Sequence, residues 1–273
     1  MTAIAILQLH ETGQLDLDAP IQEYLADFPV KPEGEITTRH LLNHSSGIAA
    51  YKDDTEIENQ TEYASIEDAI NIFKDRALIA TPGTAFNYTT YGYVVLGAII
   101  ESVSGQSYET YMRQNIWTVA GMTDTQIERS NESYENKSEL YFRKDNGKIK
   151  LADANNLSDR IPGGGIISTL DDMMKFGNAI LNDVFISRAS LELMFEIPNI
   201  KNNGIPYGKG WYLYDEIPDF GIVYGHGGAQ TGASTMLMIV PEQDFVVVVL
   251  TNTSRASNEV IKIISRLFEI AGG

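Results

Sequence analysis

The 273-residue chain has no cysteine. That excludes a disulfide framework, a thiol nucleophile and any metal site built on thiolates, and it leaves the redox compartment open. Positive charge is also in short supply. Against 37 aspartates and glutamates stand 20 lysines and arginines, a formal net charge of −17. Attraction to phosphate backbones or anionic headgroups is thereby disfavoured, and nucleic acid is not an expected partner. No run of 18 apolar residues exists, so no membrane span is read. The opening "MTAIAILQLHETG" lacks a positively charged start and a cleavage site, and it does not read as a signal peptide. Repeats and low-complexity linkers are absent. What remains, 43% hydrophobic and 21% charged, is an ordinary globular composition with enough length for a large core.

Periodicity places helices first and strands last. Ala3, Ile4, Ile6 and Leu7 recur at helical spacing and Gly13 stands where that helix would stop, yet nothing ahead of Thr2 could cap it. A short helix is expected over 37–44. Ser65 with Asp68 suggests a capping box opening a helix through Arg76. A longer helix is expected from about Tyr91 to Val103, ending at Gly105. Residues 123–150 are polar and read as a surface excursion with a hairpin at Asp145–Gly147. Ser168 and Thr169 introduce a helix over "LDDMMKFGNAIL". Then "YGKGWYLY", "FGIVYGH", "ASTMLMIVP" and "DFVVVVLTN" read as short strands, and a helix from about Ser257 to Ile270 follows. The expected class is α+β: an antiparallel sheet flanked by helices, with a helical subdomain over about 14–200 and the sheet over about 205–273 plus the opening helix.

Chemistry is sought in two stretches. In "FNYTTYGYVVLG", Tyr88 precedes a long apolar helix, where the positive end of the dipole would stabilise a phenolate; the bland alternative is a packed aromatic at a turn. In "YGHGGAQTGAS", His226 is followed by two glycines that let something approach the backbone and leave main-chain N–H groups free for an oxyanion. Other signals point elsewhere. His40 and His44 have zinc-like i, i+4 spacing, but "HLLNH" lacks the glutamate of a metalloprotease helix. "IPGGGIIS" has no Lys-Ser/Thr after it and reads as a turn or cleft wall. Trp211 reads as core, and Asp16 with Asp18 as a solvated turn rather than a glycosidase dyad.

Taken in order, "LHETGQLDLDAPIQEYL", "ITTRHLLNHSSGI", "PGTAFNYTTYGYVVLGAIIESVSG", "PGGGIISTLDDMMKFGNAIL", "YGKGW" and "GHGGAQTGASTMLMIVP" resemble the serine β-lactamase-like hydrolases, the group that includes class C β-lactamases and penicillin-binding-protein-like peptidases. The resemblance covers nearly the whole chain as one domain, 1–273. It implies a β-lactamase/transpeptidase-like fold and acyl-serine chemistry on an amide or ester bond of a small molecule or peptide. No cofactor or metal is expected, and a periplasmic or extracellular location is implied.

In that family a Ser-x-x-Lys motif immediately precedes the helix resembling "TAIAILQLHETG". No serine of this chain is followed three residues later by lysine. The nucleophile segment and the strands before it are therefore expected to lie outside this chain, with Met1 an internal methionine and the chain inactive by itself. A non-catalytic or assembly-forming product is the alternative. Tyr88 matches the family's proton-shuttling tyrosine, whose phenol neighbouring cations would have to lower. Thr90 stands where most members have Asn, which puts classical β-lactam hydrolysis in doubt. His226, Gly227 and Gly228 match the element lining the far side of the cleft, and the Ala229 N–H corresponds to half of an oxyanion hole. The resemblance also pairs the missing N-terminal strands with "DFVVVVLTN", whose exposed edge is expected to favour self-association.

Overall fold

The computed structural model describes residues 1–217 and 219–272. Its helices are α1 (Thr2–Glu11), α2 (Thr38–Leu42), α3 (Asp54–Ile57), α4 (Ile66–Ile70), α5 (Thr90–Ser104), α6 (Tyr108–Met112), α7 (Ile161–Gly164), α8 (Leu170–Leu181), α9 (Arg188–Phe195) and α10 (Ser257–Gly272). The strands are β1 (Gln126–Ile127), β2 (Tyr141–Arg143), β3 (Ile149–Leu151), β4 (Ile166–Ile167), β5 (Tyr212–Ile217), β6 (Gly221–Gln230), β7 (Ala233–Val240) and β8 (Phe245–Thr251). Strands β5-β6-β7-β8 form one antiparallel meander, while β1 pairs with β4 and β2 with β3.

Side-chain alternation gives the meander two covered faces. Leu237, Ile239 and Val246 join the large helical core, whereas Met238, Val240, Val247 and Val249 meet Val260, Ile264 and Phe268 of α10. Successive side chains of a strand point to opposite faces, so an unbroken apolar run such as "FVVVV" is what a strand buried on both sides requires. Gly177 of α8 admits Val246 to the space a Cβ would fill. Strand β8 nonetheless ends the sheet, with β7 its only strand partner along its length among the described residues.

Helix α1 is buried on every side from Thr2 to Leu7, as expected for a helix without a polar face. No side chain caps its first turn. Its start is tied down instead by Thr2, whose Oγ1 lies 2.7 Å from the Tyr108 hydroxyl and donates to the Pro162 carbonyl at 2.7 Å. Helix α5 is the hub of the helical half and touches α1, α2, α4, α6 and α7. Thr89 caps it by accepting the Tyr91 N–H, and Gly105 closes it at φ 68°. Four segments depart from expectation. Helix α4 is capped by Ser65 as read, but stops at Ile70 and gives way to turns through Arg76. The excursion at 123–150 contributes β1 to a pairing with β4 besides its hairpin. Helices α6 and α9 were not anticipated; each is short and opened by a serine cap, Ser107 and Ser187.

Where α5 crosses α7, Gly97 faces Pro162, and a Cβ at Gly97 would overlap the proline ring. Gly97→Ala is expected to destabilise the fold by about 1–3 kcal/mol, because overpacking outweighs alanine's helix propensity. Urea denaturation checks this; a neutral or stabilised variant would contradict the close approach.

Candidate active site

The site is assembled from the loop before α5, the turn after α2 and the end of β6. The α2 turn comes first. Thr37 Oγ1 accepts the His40 N–H while His40 Nδ1 accepts the Thr37 N–H, a capping box that assigns His40 to the helix start. After Asn43 the chain turns sharply at His44, which sits at φ 55°. Gly83 then donates to the Ser45 carbonyl and Asn87 to the His44 carbonyl, at 2.8 and 2.7 Å. The Thr89 N–H donates to His44 Nδ1 at 3.3 Å. These bonds deliver Tyr88 onto the His44 ring, with centroids 4.1 Å apart.

Around this pair stand Tyr93, Tyr207 and Phe86, at 5.0, 4.9 and 5.9 Å from the His44 ring. His226 approaches from β6, its ring 6.1 Å from Tyr88 and 5.3 Å from Tyr212. His226 Nδ1 lies 2.7 Å from the Gly227 carbonyl, which can only accept, so Nδ1 carries the proton. Nε2 is then the acceptor for the Tyr207 hydroxyl at 3.2 Å. Both ring nitrogens of His226 are engaged within the protein.

Pairing of β5 with β6 ends at Tyr212 opposite Gly225, whereas β7 continues beside β6 as far as Gln230. His226–Gln230 therefore have a strand partner on one side only, and Gly228 and Ala229 are exposed there. Gly228 brings its backbone against Thr235 Oγ1, in space that a Cβ would take. On the facing wall, Gly163 packs against Thr90 and Gly164 against the Gln230 amide. "IPGGG" is thus a wall of the cleft. The wall is braced from behind by the buried pair Asp159–Arg160, 2.8 Å apart, with the guanidinium 4.6 Å over Tyr51. Tyr88 lies beside His226, Gly228 and Ala229 follow along β6, and Thr90 makes its contact with Gly163 rather than with His226. Trp211 is core, and Asp18 is held by Arg39 at 2.6 Å.

Electrostatics corrects one expectation. Burial pushes the Tyr88 phenol up to about 12, and Tyr212 and Tyr51 push in the same direction. Among the described residues no cation lowers the phenol, although the residue keeps 42% of its surface exposed. His44, which shares the zinc-like spacing with His40, forms the floor beneath Tyr88. It is buried at 2% exposure, and burial first and His226 second hold its imidazole well below the usual range. His226 is lowered as well, by burial, against the raising effect of its hydrogen bond to the Gly227 carbonyl. Tyr207, raised well above its ordinary value by burial, was also missed; its signal was the aromatic lodged in the glycine-rich "PYGKGW".

The family model described as Beta-lactamase matches residues 1–269. The chain is 31% identical over 271 residues to "Penicillin-binding protein 4*" of Bacillus subtilis, covering 92% of this chain but only 58% of that protein. Among solved structures, a penicillin-binding protein from Bacillus halodurans superposes with TM-score 0.81 at 27% identity, covering 97% of this chain and 83% of that one. An octameric penicillin-binding protein homologue from Pyrococcus abyssi superposes at 0.83 with 26% identity, covering 98% and 64%. The chain belongs to the beta-lactamase family and has its β-lactamase/transpeptidase-like fold.

Neutral imidazoles inside the fold make it acid-sensitive. Below the unfolded value of about 6.5 the unfolded chain takes up protons that folded His44 and His226 refuse, so stability is full above that pH and declines below it. The slope is at most about 1.4 kcal/mol per pH unit for each histidine. Denaturation from pH 8 to 5.5 should show this decline, and His44→Asn should flatten it. The difference between the two proteins separates the imidazole from carboxylates such as Glu101, which burial raises. Equal or greater stability at pH 5.5 would contradict the assignment.

Proposed function

We propose that the cleft is the tyrosine-and-histidine side of an acyl-serine hydrolase site acting on an amide or ester bond of a small molecule or peptide. The observation that carries this reading is the juxtaposition of Tyr88 and His226, ring centroids 6.1 Å apart, beside the half-paired end of β6. In the reaction a serine hydroxyl attacks the substrate carbonyl carbon, its proton passes to the leaving group, and water then cleaves the acyl-enzyme. With its phenol near 12, Tyr88 is protonated at neutral pH. It would relay the proton in a concerted step, accepting one as it gives up its own. The Ala229 N–H would hold the developing oxyanion, Gly228 would admit the substrate backbone, and His226, fixed by Tyr207, would line the far wall. Thr90 would offer a hydroxyl where the family pattern has an amide.

Residues 1–273 contain no Ser-x-x-Lys. This chain is therefore expected to form no covalent adduct with a fluorophosphonate or penicillin, read by intact-mass spectrometry. Supplying a Ser-x-x-Lys segment ahead of Met1 should give one adduct per chain, and Tyr88→Phe in that protein should lower kcat/KM by about 100-fold or more. A stoichiometric adduct on residues 1–273, or undiminished activity of the tyrosine variant, would overturn the reading.

We also propose self-association through β8, favoured by the unpaired outer edge of that strand and by the octameric state of the Pyrococcus abyssi homologue. At physiological ionic strength screening confines the repulsion of a −17 chain to about 8 Å, so contact-range pairing prevails. Size-exclusion chromatography should show oligomers that grow with salt and that Leu250→Lys, at an exposed edge position, diminishes. A chain that stays monomeric at high salt would sink the proposal.

A further inference from the structure

We propose that His44 is the positioning residue of Tyr88: it holds the segment on both sides of the tyrosine and supplies the surface on which the phenol ring rests. The proposal rests on the hydrolase reading for its consequence, but its geometry stands apart from it.

Three consecutive residues end on this one side chain and its backbone. Asn87 donates its N–H to the His44 carbonyl at 2.7 Å, Tyr88 lies on the imidazole at 4.1 Å between centroids, and Thr89 donates its N–H to Nδ1 at 3.3 Å. Thr89 is also the N-cap of α5, so the same contact links the catalytic loop to the hub helix. Because Nδ1 accepts from a backbone N–H, the ring is the neutral tautomer with its proton on Nε2. A protonated imidazole would have a second donor facing the Thr89 N–H, and the contact would become repulsive.

The backbone gives a second line of argument. His44 occupies the left-handed region at φ 55°, which asparagine or glycine adopts at less cost than histidine. A position chosen for its turn alone would not call for a buried imidazole. The ring is excluded from water, touches Phe86, Tyr93 and Tyr207 as well as Tyr88, and has a backbone donor aimed at one nitrogen. His44 itself does not reach the cleft surface. It acts through Tyr88.

Two substitutions separate the ring from the turn. His44→Gly keeps the left-handed backbone without strain and deletes both the acceptor and the stacking surface. His44→Asn keeps the turn and returns an acceptor oxygen near the Nδ1 position, without the ring. In residues 1–273, amide hydrogen exchange at Thr89 should quicken about tenfold in the glycine variant and recover most of its protection in the asparagine variant. Asn87, whose acceptor is a backbone carbonyl, should change less. The Tyr88 ring resonance, assigned through Tyr88→Phe, should shift in both variants, since the ring current of His44 is lost in both. Unchanged Thr89 exchange in a folded His44→Gly protein, or an unmoved Tyr88 resonance in His44→Asn, would overturn the proposal. If the glycine variant does not fold, the Tyr88 resonance of the asparagine variant decides alone. These readouts need no turnover, so a protein that never hydrolyses an ester counts against the hydrolase reading and leaves this one standing.

Discussion

Gly97 lets helix α5 approach α7 so closely that Pro162 occupies the space of a missing side chain, and much of the site's geometry follows from that contact. With five helices around it, α5 has no direction in which to shift. Its N-terminus therefore fixes Thr89 and Thr90, and through the Thr89 N–H it fixes the turn at His44. The same approach sets Gly163 against Thr90 and Gly164 against Gln230, joining the helical half to the end of β6. Thr2 adds a third strut by bonding to the Pro162 carbonyl, which aligns the start of α1 with this wall. Packed interiors transmit such constraints because they have few voids in which to absorb a displacement.

Inside this frame the site is neutral although the chain carries −17 overall. Burial raises the phenols of Tyr88, Tyr93, Tyr207 and Tyr212 and lowers the imidazoles of His44 and His226, and in every case it disfavours the charged form. What is left is a set of oriented neutral bonds, Tyr207 O–H to His226 Nε2 and His226 Nδ1–H to the Gly227 carbonyl. Such bonds strengthen in a low dielectric, and each fixes the proton position of the next. A reaction in this cleft must move a proton along existing bonds, because no side chain described around Tyr88 holds it as a stored charge.

Much of this was legible in the sequence where the cause is local. The Ser65 cap of α4, the closing glycine of α5 and the Thr169 start of α8 are chemistry of adjacent residues, and they stand where they were read. The β-branched runs of β7 and β8 announce a two-faced strand because alternation is a property of the strand itself. Tyr88 and His226 could be paired only through family resemblance, being 138 positions apart in the numbering of the chain. "HLLNH" was read for its zinc-like spacing, whereas the contacts of His44 come from Asn87 and Thr89, which no local pattern connects to it. The direction of the Tyr88 shift was misjudged for a related reason. A helix dipole can be read from one segment, whereas the desolvation of Tyr88 comes from rings supplied by other segments.

Strand β8 shows the same limit from the opposite side. Its valines satisfy both faces of the sheet, and periodicity reports that correctly, yet periodicity carries no information about the direction of the backbone hydrogen bonds. Whether a strand so apolar is central or terminal depends on what lies beside it in space. Here β7 takes one edge, and among the described residues the other meets only the bridge between Tyr141 and Thr253 just beyond the strand's end. Neither proline nor an inward charge interrupts Phe245–Leu250, and those are the devices by which edges are usually made unattractive to other chains. A strand built to be covered on both faces but left open along one edge retains its pairing capacity, and any chain segment that satisfies those backbone groups will add its stability to that of the whole sheet.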